Sequence, residues 1–211
     1  MDLWIYTKTI MVKRIEIDKD YADLLSELML GDEIDWYWND ITNDEYKKGG
    51  VMDSKTLDSP QFTHTIFRGN QPASTYYRYF TEMLTYLQPH MGKIKRVIRI
   101  KANLMTKDGS YPQGFYNGPH IDFTGDNLMS FVYYVNDSDG DTVFFDTYLD
   151  GKEEHNITEL TEVERITPKF GTGVLFNSQQ VHTSSTPKVT NRRVVINYVF
   201  EMYDTNDTEF L

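Results

Sequence analysis

The chain has 211 residues, a net charge of −11 and no cysteine. Disulfide bonds and thiolate metal ligands are therefore excluded, so any metal must bind to His, Asp or Glu. Nucleic-acid binding depends on Lys and Arg that neutralise phosphates, so the acidic balance disfavours nucleic acids and anionic membrane surfaces as partners. The sequence has no apolar run near the roughly 20 residues of a membrane span. It also has no signal-peptide pattern after Met1, and we expect a cytoplasmic protein.

The first part of the chain predicts one short strand and two helices. Alternating apolar and charged residues at 11–17 indicate an edge strand. Apolar residues at helical spacing then predict a helix over 19–30, with Asp18 as its N-cap and Gly31 at its end. Helical spacing returns at 74–87, where the following proline should end the second helix.

Between these helices, residues 36–64 mix aromatic side chains with turn formers. This pattern predicts an irregular loop region with a short helix near 44–48. A loop of this length is often a lid or a binding segment. Trp36 and Trp38 could therefore line a pocket, and the alternative is that they only pack the loop on the core.

From Lys95 onward, the pattern changes to short apolar segments separated by Gly, Pro, Asn or Asp. The predicted strands are 97–100, 127–136, 141–147, 162–167, 172–176 and 193–202. Helices followed by many strands favour a β-barrel or sandwich with helices packed on the outside. We predict one mainly β domain over 1–211, with helical and loop support at 1–92, a β core at 93–203 and a polar tail at 204–211.

A group of basic residues stands at the start of this β region. The group consists of Lys93, Lys95, Arg96, Arg99 and Lys101. Charge clusters of this kind mostly solubilise a protein, so we interpret the group as a solvated strand face. A binding patch is the less favoured alternative.

His120 and Asp122 stand two residues apart in the segment Gly-Pro-His-Ile-Asp-Phe. On a β-strand this spacing would put both side chains on one face, because successive side chains alternate. His182 follows after the predicted strands, and two His with one carboxylate form a ligand set that binds iron and leaves positions open. We predict His120, Asp122 and His182 as metal ligands and catalytic residues. The other histidines are assigned structural roles: His64, His90 and His155.

Residues 95–203 resemble the Fe(II)- and 2-oxoglutarate-dependent dioxygenases, and among them the prolyl-4-hydroxylase-like branch. The resemblance rests on the order of three features along the chain: the His-x-Asp pair at 120–122, then His182, then the basic pair at 192–193. It also rests on three blocks of sequence: 131–136, 139–145 and 168–176. It implies a double-stranded β-helix (a jelly-roll or cupin-like core) that uses Fe(II), 2-oxoglutarate and O₂, with ascorbate as an optional reductant.

The resemblance also implies an arginine that binds the distal carboxylate of 2-oxoglutarate through paired hydrogen bonds. Arg192 and Arg193 are neighbours on a predicted strand, so only one can point inward. We favour Arg193 because it shares a face with residues 195, 197 and 199, and Arg192 remains the alternative. Tyr134 is a second candidate for this carboxylate. Two further residues are candidates for the pocket lining: Asn103 and Thr142.

The activity that the resemblance implies is hydroxylation of a C–H bond, coupled to decarboxylation of 2-oxoglutarate to succinate. Halogenating relatives lack the carboxylate ligand, and Asp122 is present here, which favours hydroxylation. A prolyl residue of a peptide is the leading substrate, and a free amino acid or another small metabolite is the alternative. A cupin-like β-barrel that binds a metal or small ligand without turnover is the alternative from another functional class.

Overall fold

The computed structural model describes residues 12–42, 54–149 and 160–203. Its helices are α1 (Lys19–Leu30), α2 (Tyr77–Thr81) and α3 (Met83–Met91). Its strands are β1 (Lys13–Glu16), β2 (Tyr37–Asn39), β3 (Gln61–Arg68), β4 (Gln71–Pro72), β5 (Ile94–Thr106), β6 (Leu128–Tyr134), β7 (Thr142–Tyr148), β8 (Glu162–Ile166), β9 (Thr172–Asn177), β10 (Gln180–Ser184) and β11 (Arg192–Met202). Within these ranges, no helix has the length and apolar character needed to cross a bilayer.

The strands form two antiparallel sheets. The large sheet has the order β1-β9-β6-β11-β5-β3-β2, with β4 paired to β3, and the small sheet has the order β10-β7-β8. The long strand β11 lies between β6 and β5, and its register pairs Val195 with both Tyr134 and Asn103. Residues that are far apart in the sequence are therefore brought side by side at the centre of the large sheet.

Apolar side chains fill two layers on opposite faces of the large sheet. One cluster joins buried residues of α1 and α3, such as Leu25 and Leu87, to the outer face of the sheet at Phe131 and Tyr198. A second cluster includes Phe144 and side chains from β6, β8, β9 and β11, and it fills the space between the two sheets. The helices therefore pack on the outside of the β core, as the sequence predicts.

The N-terminal elements agree closely with the local sequence pattern. Strand β1 is the edge of the large sheet and pairs with β9. Helix α1 has the predicted bounds, and the Asp18 carboxylate accepts hydrogen bonds from the backbone N–H groups of Asp20 and Tyr21. The N–H of Gly31 donates to the carbonyl of Glu27 and closes the helix.

The second helical region differs from the prediction. The segment 74–87 contains α2 and the start of α3, two helices that meet at Glu82. Pro89 lies inside α3, and the helix ends at Gly92, whose φ of 92° lies in the left-handed region that glycine adopts without strain. The buried residues Met83 and Leu87 pack α3 against the core. This tertiary packing stabilises the helix, so it continues beyond Pro89 to Met91.

The loop predicted at 36–64 contains strand β2 and the start of β3, so the prediction of an irregular segment is wrong there. Trp36 packs against the apolar cluster between the helices and the large sheet. The side chain of Trp38 is exposed, and its ring makes an edge contact with the ring of Phe62. The packing alternative therefore holds for Trp36. The helix predicted near 44–48 lies outside the described residues.

Candidate metal centre and active site

His120 and His182 face each other across a single antiparallel bridge. The backbone N–H of each donates to the carbonyl of the other, both at 2.9 Å. The prediction that His120 and Asp122 share a regular strand is wrong, because His120 makes only this bridge and Asp122 lies in the bend that follows. Pro119 lacks an N–H group and so cannot extend the ladder on the N-terminal side.

The three predicted ligands nevertheless converge. One ligand atom from each of His120, Asp122 and His182 lies within 4.8 Å of the others, so these residues could hold a metal ion, and we call this candidate cluster the metal triad. His182 Nε2 lies 3.7 Å from Asp122 Oδ2. His64 and His90 are not part of a metal-ligand cluster in the described ranges, and His155 lies outside them.

The orientation of both imidazoles suits a metal. His120 Nδ1 lies 3.0 Å from the carbonyl of Gly118, and His182 Nδ1 lies 2.9 Å from the carbonyl of Gln180. A ring that donates Nδ1–H to a carbonyl presents a lone pair on Nε2, which is the usual arrangement of a metal-bound histidine. Burial, with the neighbouring His182, lowers the pKa of His120 to about 4, so this ring is neutral at pH 7. The residues present therefore fit a divalent metal ion.

The third ligand is fixed by two other side chains. Arg99 donates to Asp122 Oδ1 at 2.7 Å, and Asn197 donates to Asp122 Oδ2 at 2.8 Å. Burial alone would raise the pKa of Asp122, but His182 and Arg99, followed by His120 and Asn197, outweigh burial and hold the pKa well below its usual range. The carboxylate is therefore ionised and oriented before any ligand arrives.

Arg99 and Asn197 are site residues that sequence reasoning missed. Arg99 belongs to the basic group interpreted as a solvated face, and this interpretation is wrong for Arg99, which contacts the metal triad. Arg96 also lines the cavity beside the triad, while its guanidinium pairs with Glu201. Arg99 and Lys101 are two positions apart, so strand alternation predicts that they share one face of the sheet. This pattern does not reveal whether that face is solvated or covered.

The metal triad opens into a cavity of about 910 Å³ on the inner face of the large sheet. Arg193, Thr142 and Asn103 all line this cavity, and Tyr134 lies buried behind Thr142. The side chain of Arg192 is exposed and lies outside the cavity. The structure thus brings Arg193, and not its neighbour, to the predicted site.

Arg193 is almost fully buried and is held by two hydrogen bonds. Its Nε donates to the carbonyl of Gly140 at 2.7 Å, and its Nη2 donates to Thr142 Oγ1 at 2.9 Å. Tyr134 also donates its hydroxyl proton to Thr142 Oγ1 at 3.0 Å. Burial lowers the pKa of Arg193, and the same burial raises the pKa of Tyr134 to about 12, so the tyrosine is neutral and the guanidinium is a fixed donor.

Comparisons with known proteins agree with this geometry. Residues 109–201 match the model of the 2OG-Fe(II) oxygenase superfamily. The chain is similar to the solved structure of SnoN, an alpha-ketoglutarate-dependent epimerase from nogalamycin biosynthesis, with 12% identity, a TM-score of 0.57, and coverage of 92% of this chain and 79% of that chain. No curated protein matches the chain.

Two other solved structures share the fold. An oxidoreductase of the 2OG-Fe(II) oxygenase family from Burkholderia pseudomallei is 14% identical, with a TM-score of 0.55 and coverage of 90% of this chain and 95% of that chain. HygX from Streptomyces hygroscopicus, with nickel and 2-oxoglutarate bound, is 11% identical, with a TM-score of 0.51 and coverage of 92% and 84%. The prediction of a double-stranded β-helix with external helices is confirmed.

Proposed function

We propose that the chain is a 2OG-Fe(II) oxygenase that hydroxylates a C–H bond of its substrate with Fe(II), 2-oxoglutarate and O₂, because residues 109–201 match the model of that superfamily. His120, Asp122 and His182 hold the Fe(II) in this proposal. Fe(II) with a bound 2-oxo acid supplies the oxygen activation, and the protein supplies binding, orientation and protection from water. The convergence of the three ligand atoms within 4.8 Å, beside a cavity that also contains Arg193, is the observation that carries the proposal.

Arg193 binds the distal carboxylate of 2-oxoglutarate in this proposal. Its Nη1 has no hydrogen bond to the residues that the structure describes, so this group remains for a ligand. A buried guanidinium without a carboxylate partner is costly, which favours occupation by an anion. Arg192 is exposed and carries no such cost.

Thr142 is the second donor to the same carboxylate. Its hydroxyl oxygen accepts hydrogen bonds from both Tyr134 and Arg193, which uses both of its lone pairs. The hydroxyl proton of Thr142 is then directed to a third partner, and the cosubstrate carboxylate is the acceptor that the cavity admits. Tyr134 acts on the cosubstrate through Thr142, so we assign it a positioning role. Asn103 lies on the same cavity wall, one strand away from Arg193.

The substrate lies on the remaining side of the cavity. The sequence resemblance supports a prolyl residue of a peptide as the target. The size of the cavity supports the alternative of a small metabolite, since cavities of about 300–1,000 Å³ bind small molecules. Hydroxyproline formation in proline-containing peptides, followed by mass spectrometry, distinguishes the two targets.

The hydroxylase proposal is tested by succinate formation from 2-oxoglutarate. We expect the purified full chain to form succinate with Fe(II), faster when ascorbate keeps the iron reduced, and not with Zn(II), which has no redox chemistry. Absence of turnover with Fe(II), together with tight binding of another small ligand, would instead support the cupin-like binding module.

A further inference from the structure

We propose that the substrate of this site carries an anionic group, a phosphate or a carboxylate, which binds at a basic subsite formed by Arg68, Arg99 and Lys101 on strands β3 and β5. This proposal rests on the proposed function and adds the chemical class of the substrate. The subsite is separate from Arg193, which serves the cosubstrate. It lies on the part of the large sheet next to Asp122.

The charge of the cavity is opposite to that of the whole chain. The chain has 21 basic and 32 acidic residues. Among the described residues that line the cavity, Asp122 is the only acidic one. The basic residues in the same lining are Arg68, Arg96, Arg99, Lys101 and Arg193. A cleft with one sign of charge attracts ligands of the opposite sign, even on a protein whose net charge repels them.

The metal and cosubstrate do not neutralise this excess. A divalent metal ion and the two carboxylates of 2-oxoglutarate cancel each other, and Asp122 offsets one arginine. Arg96 is already paired with Glu201. Arg68 is exposed and has no side-chain hydrogen bond or ion pair with any residue in 12–42, 54–149 and 160–203, so its guanidinium is available to a ligand.

A β-bulge in β3 directs Arg68 into the cavity. The register pairs Thr65 with Lys101, then skips Ile66 and pairs Arg68 with Arg99. Regular alternation would put Thr65 and Arg68 on opposite faces, but the extra residue turns Arg68 to the cavity face while Ile66 stays fully buried in the core. The two guanidinium-bearing residues therefore stand directly opposite each other on neighbouring strands.

The surface around these cations is suited to an oxyanion. The hydroxyl and amide side chains of Thr63, Thr65 and Asn103 occupy the same cavity face, where Thr63 pairs with Asn103 and Thr65 pairs with Lys101. Such groups donate hydrogen bonds to phosphate or carboxylate oxygens, and a bidentate contact with arginine adds geometric selectivity. A neutral apolar substrate would offer Arg68 no hydrogen-bond acceptor, which is unfavourable. The cavity volume favours a small molecule over a polymer.

The test uses matched probes on the full chain loaded with Zn(II) and saturating 2-oxoglutarate, so that no turnover occurs. The probes are phenyl phosphate, benzoate and benzyl alcohol, and their dissociation constants are measured by calorimetry. We expect both anions to bind and the alcohol not to bind. Arg68→Gln should weaken binding of the preferred anion about tenfold, the effect of one charge-assisted hydrogen bond. The anion with the lower dissociation constant identifies whether the natural group is a phosphate or a carboxylate.

Arg14→Gln is the matched control. Arg14 is an exposed arginine on β1, at the opposite edge of the large sheet, where it pairs with Glu164. Its variant should bind phenyl phosphate like the wild type. Equal binding of benzyl alcohol, or equal affinities of the two variants, would overturn the proposal.

Two further measurements separate this proposal from its alternatives. A thymidine oligonucleotide that displaces phenyl phosphate at a lower concentration would also overturn it, in favour of a nucleic-acid substrate. Binding of 2-oxoglutarate to the Zn(II)-loaded chain is measured alone. If 2-oxoglutarate does not bind, the proposed function is contradicted. Phenyl phosphate binding that depends on Arg68 would still support the anionic subsite.

Discussion

Arg99 donates a hydrogen bond from Nη2 to Asp122 Oδ1 at 2.7 Å, and the same nitrogen lies 3.0 Å from Asn197 Oδ1. Asn197 in turn donates to the other oxygen of Asp122. The carboxylate of the metal triad is thus held on both oxygens by residues of β5 and β11, the central strands of the large sheet. The β core therefore orients a ligand that itself lies outside any regular strand.

Arg99→Gln should weaken metal binding, because Asp122 loses the cation that fixes its orientation. Loss of such a supporting contact typically lowers metal affinity about 10- to 100-fold. The measurement is a titration with Mn(II) followed by calorimetry. Lys95→Gln on the same strand, whose lysine pairs with Glu201, is the control and should bind metal like the wild type. Tighter binding by Arg99→Gln would mean that Arg99 competes with the metal for the carboxylate.

His182→Ala should abolish iron-dependent succinate formation and leave a folded protein. The backbone bridge to His120 does not involve the side chain, so the strand pairing persists. Circular dichroism reports the fold, and metal titration reports the lost ligand. His90→Ala on α3, away from the metal triad, should retain metal binding. Retained turnover in His182→Ala would remove His182 from the site.

Arg193→Ala should raise the KM for 2-oxoglutarate about 10- to 100-fold, since the buried guanidinium is the proposed partner of the distal carboxylate. Arg192→Ala should change this KM little, because the Arg192 side chain is exposed. Steady-state kinetics at varied 2-oxoglutarate concentrations give both values. The reverse ranking would assign the cosubstrate to the other arginine.

Gly140→Ala should also raise the KM for 2-oxoglutarate, through Arg193. A Cβ at Gly140 would lie 2.7 Å from the carbonyl oxygen of Ser185 and 2.9 Å from Cδ of Arg193, so the arginine must move. Gly109→Ala is the control, since its Cβ would meet no atom within 4 Å. Identical KM values for the two variants would show that the Gly140 contact does not position Arg193.

Asp18→Ala should destabilise the protein by about 1 kcal/mol, because the carboxylate caps two N–H groups at the start of α1. For a chain of this size, that loss lowers Tm by about 2–4 °C. Thermal unfolding followed by circular dichroism measures the shift. Glu27→Ala, an exposed substitution in the same helix, should leave Tm nearly unchanged. A similar Tm for the two variants would argue against the cap.

The sequence by itself determined the features that depend on neighbouring residues and on residue type. Helix α1 follows from helical spacing between Asp18 and Gly31, and the choice of Arg193 over Arg192 as the inward residue follows from strand alternation. The absence of cysteine restricted the metal ligands to His, Asp and Glu. Each of these inferences uses chemistry or periodicity that is present within a few positions of the chain.

Only the tertiary structure decided which distant strands pair and which faces they cover. The pairing of β3 with β5, and the bulge that turns Arg68 toward Arg99, have no local signal because both depend on the partner strand. The contact of Arg99 with Asp122 likewise joins two separate segments, and neither helical nor strand periodicity relates their positions in the sequence. Backbone pairing between remote segments is set by the packing of the whole sheet, so only the folded chain places Arg99 beside Asp122.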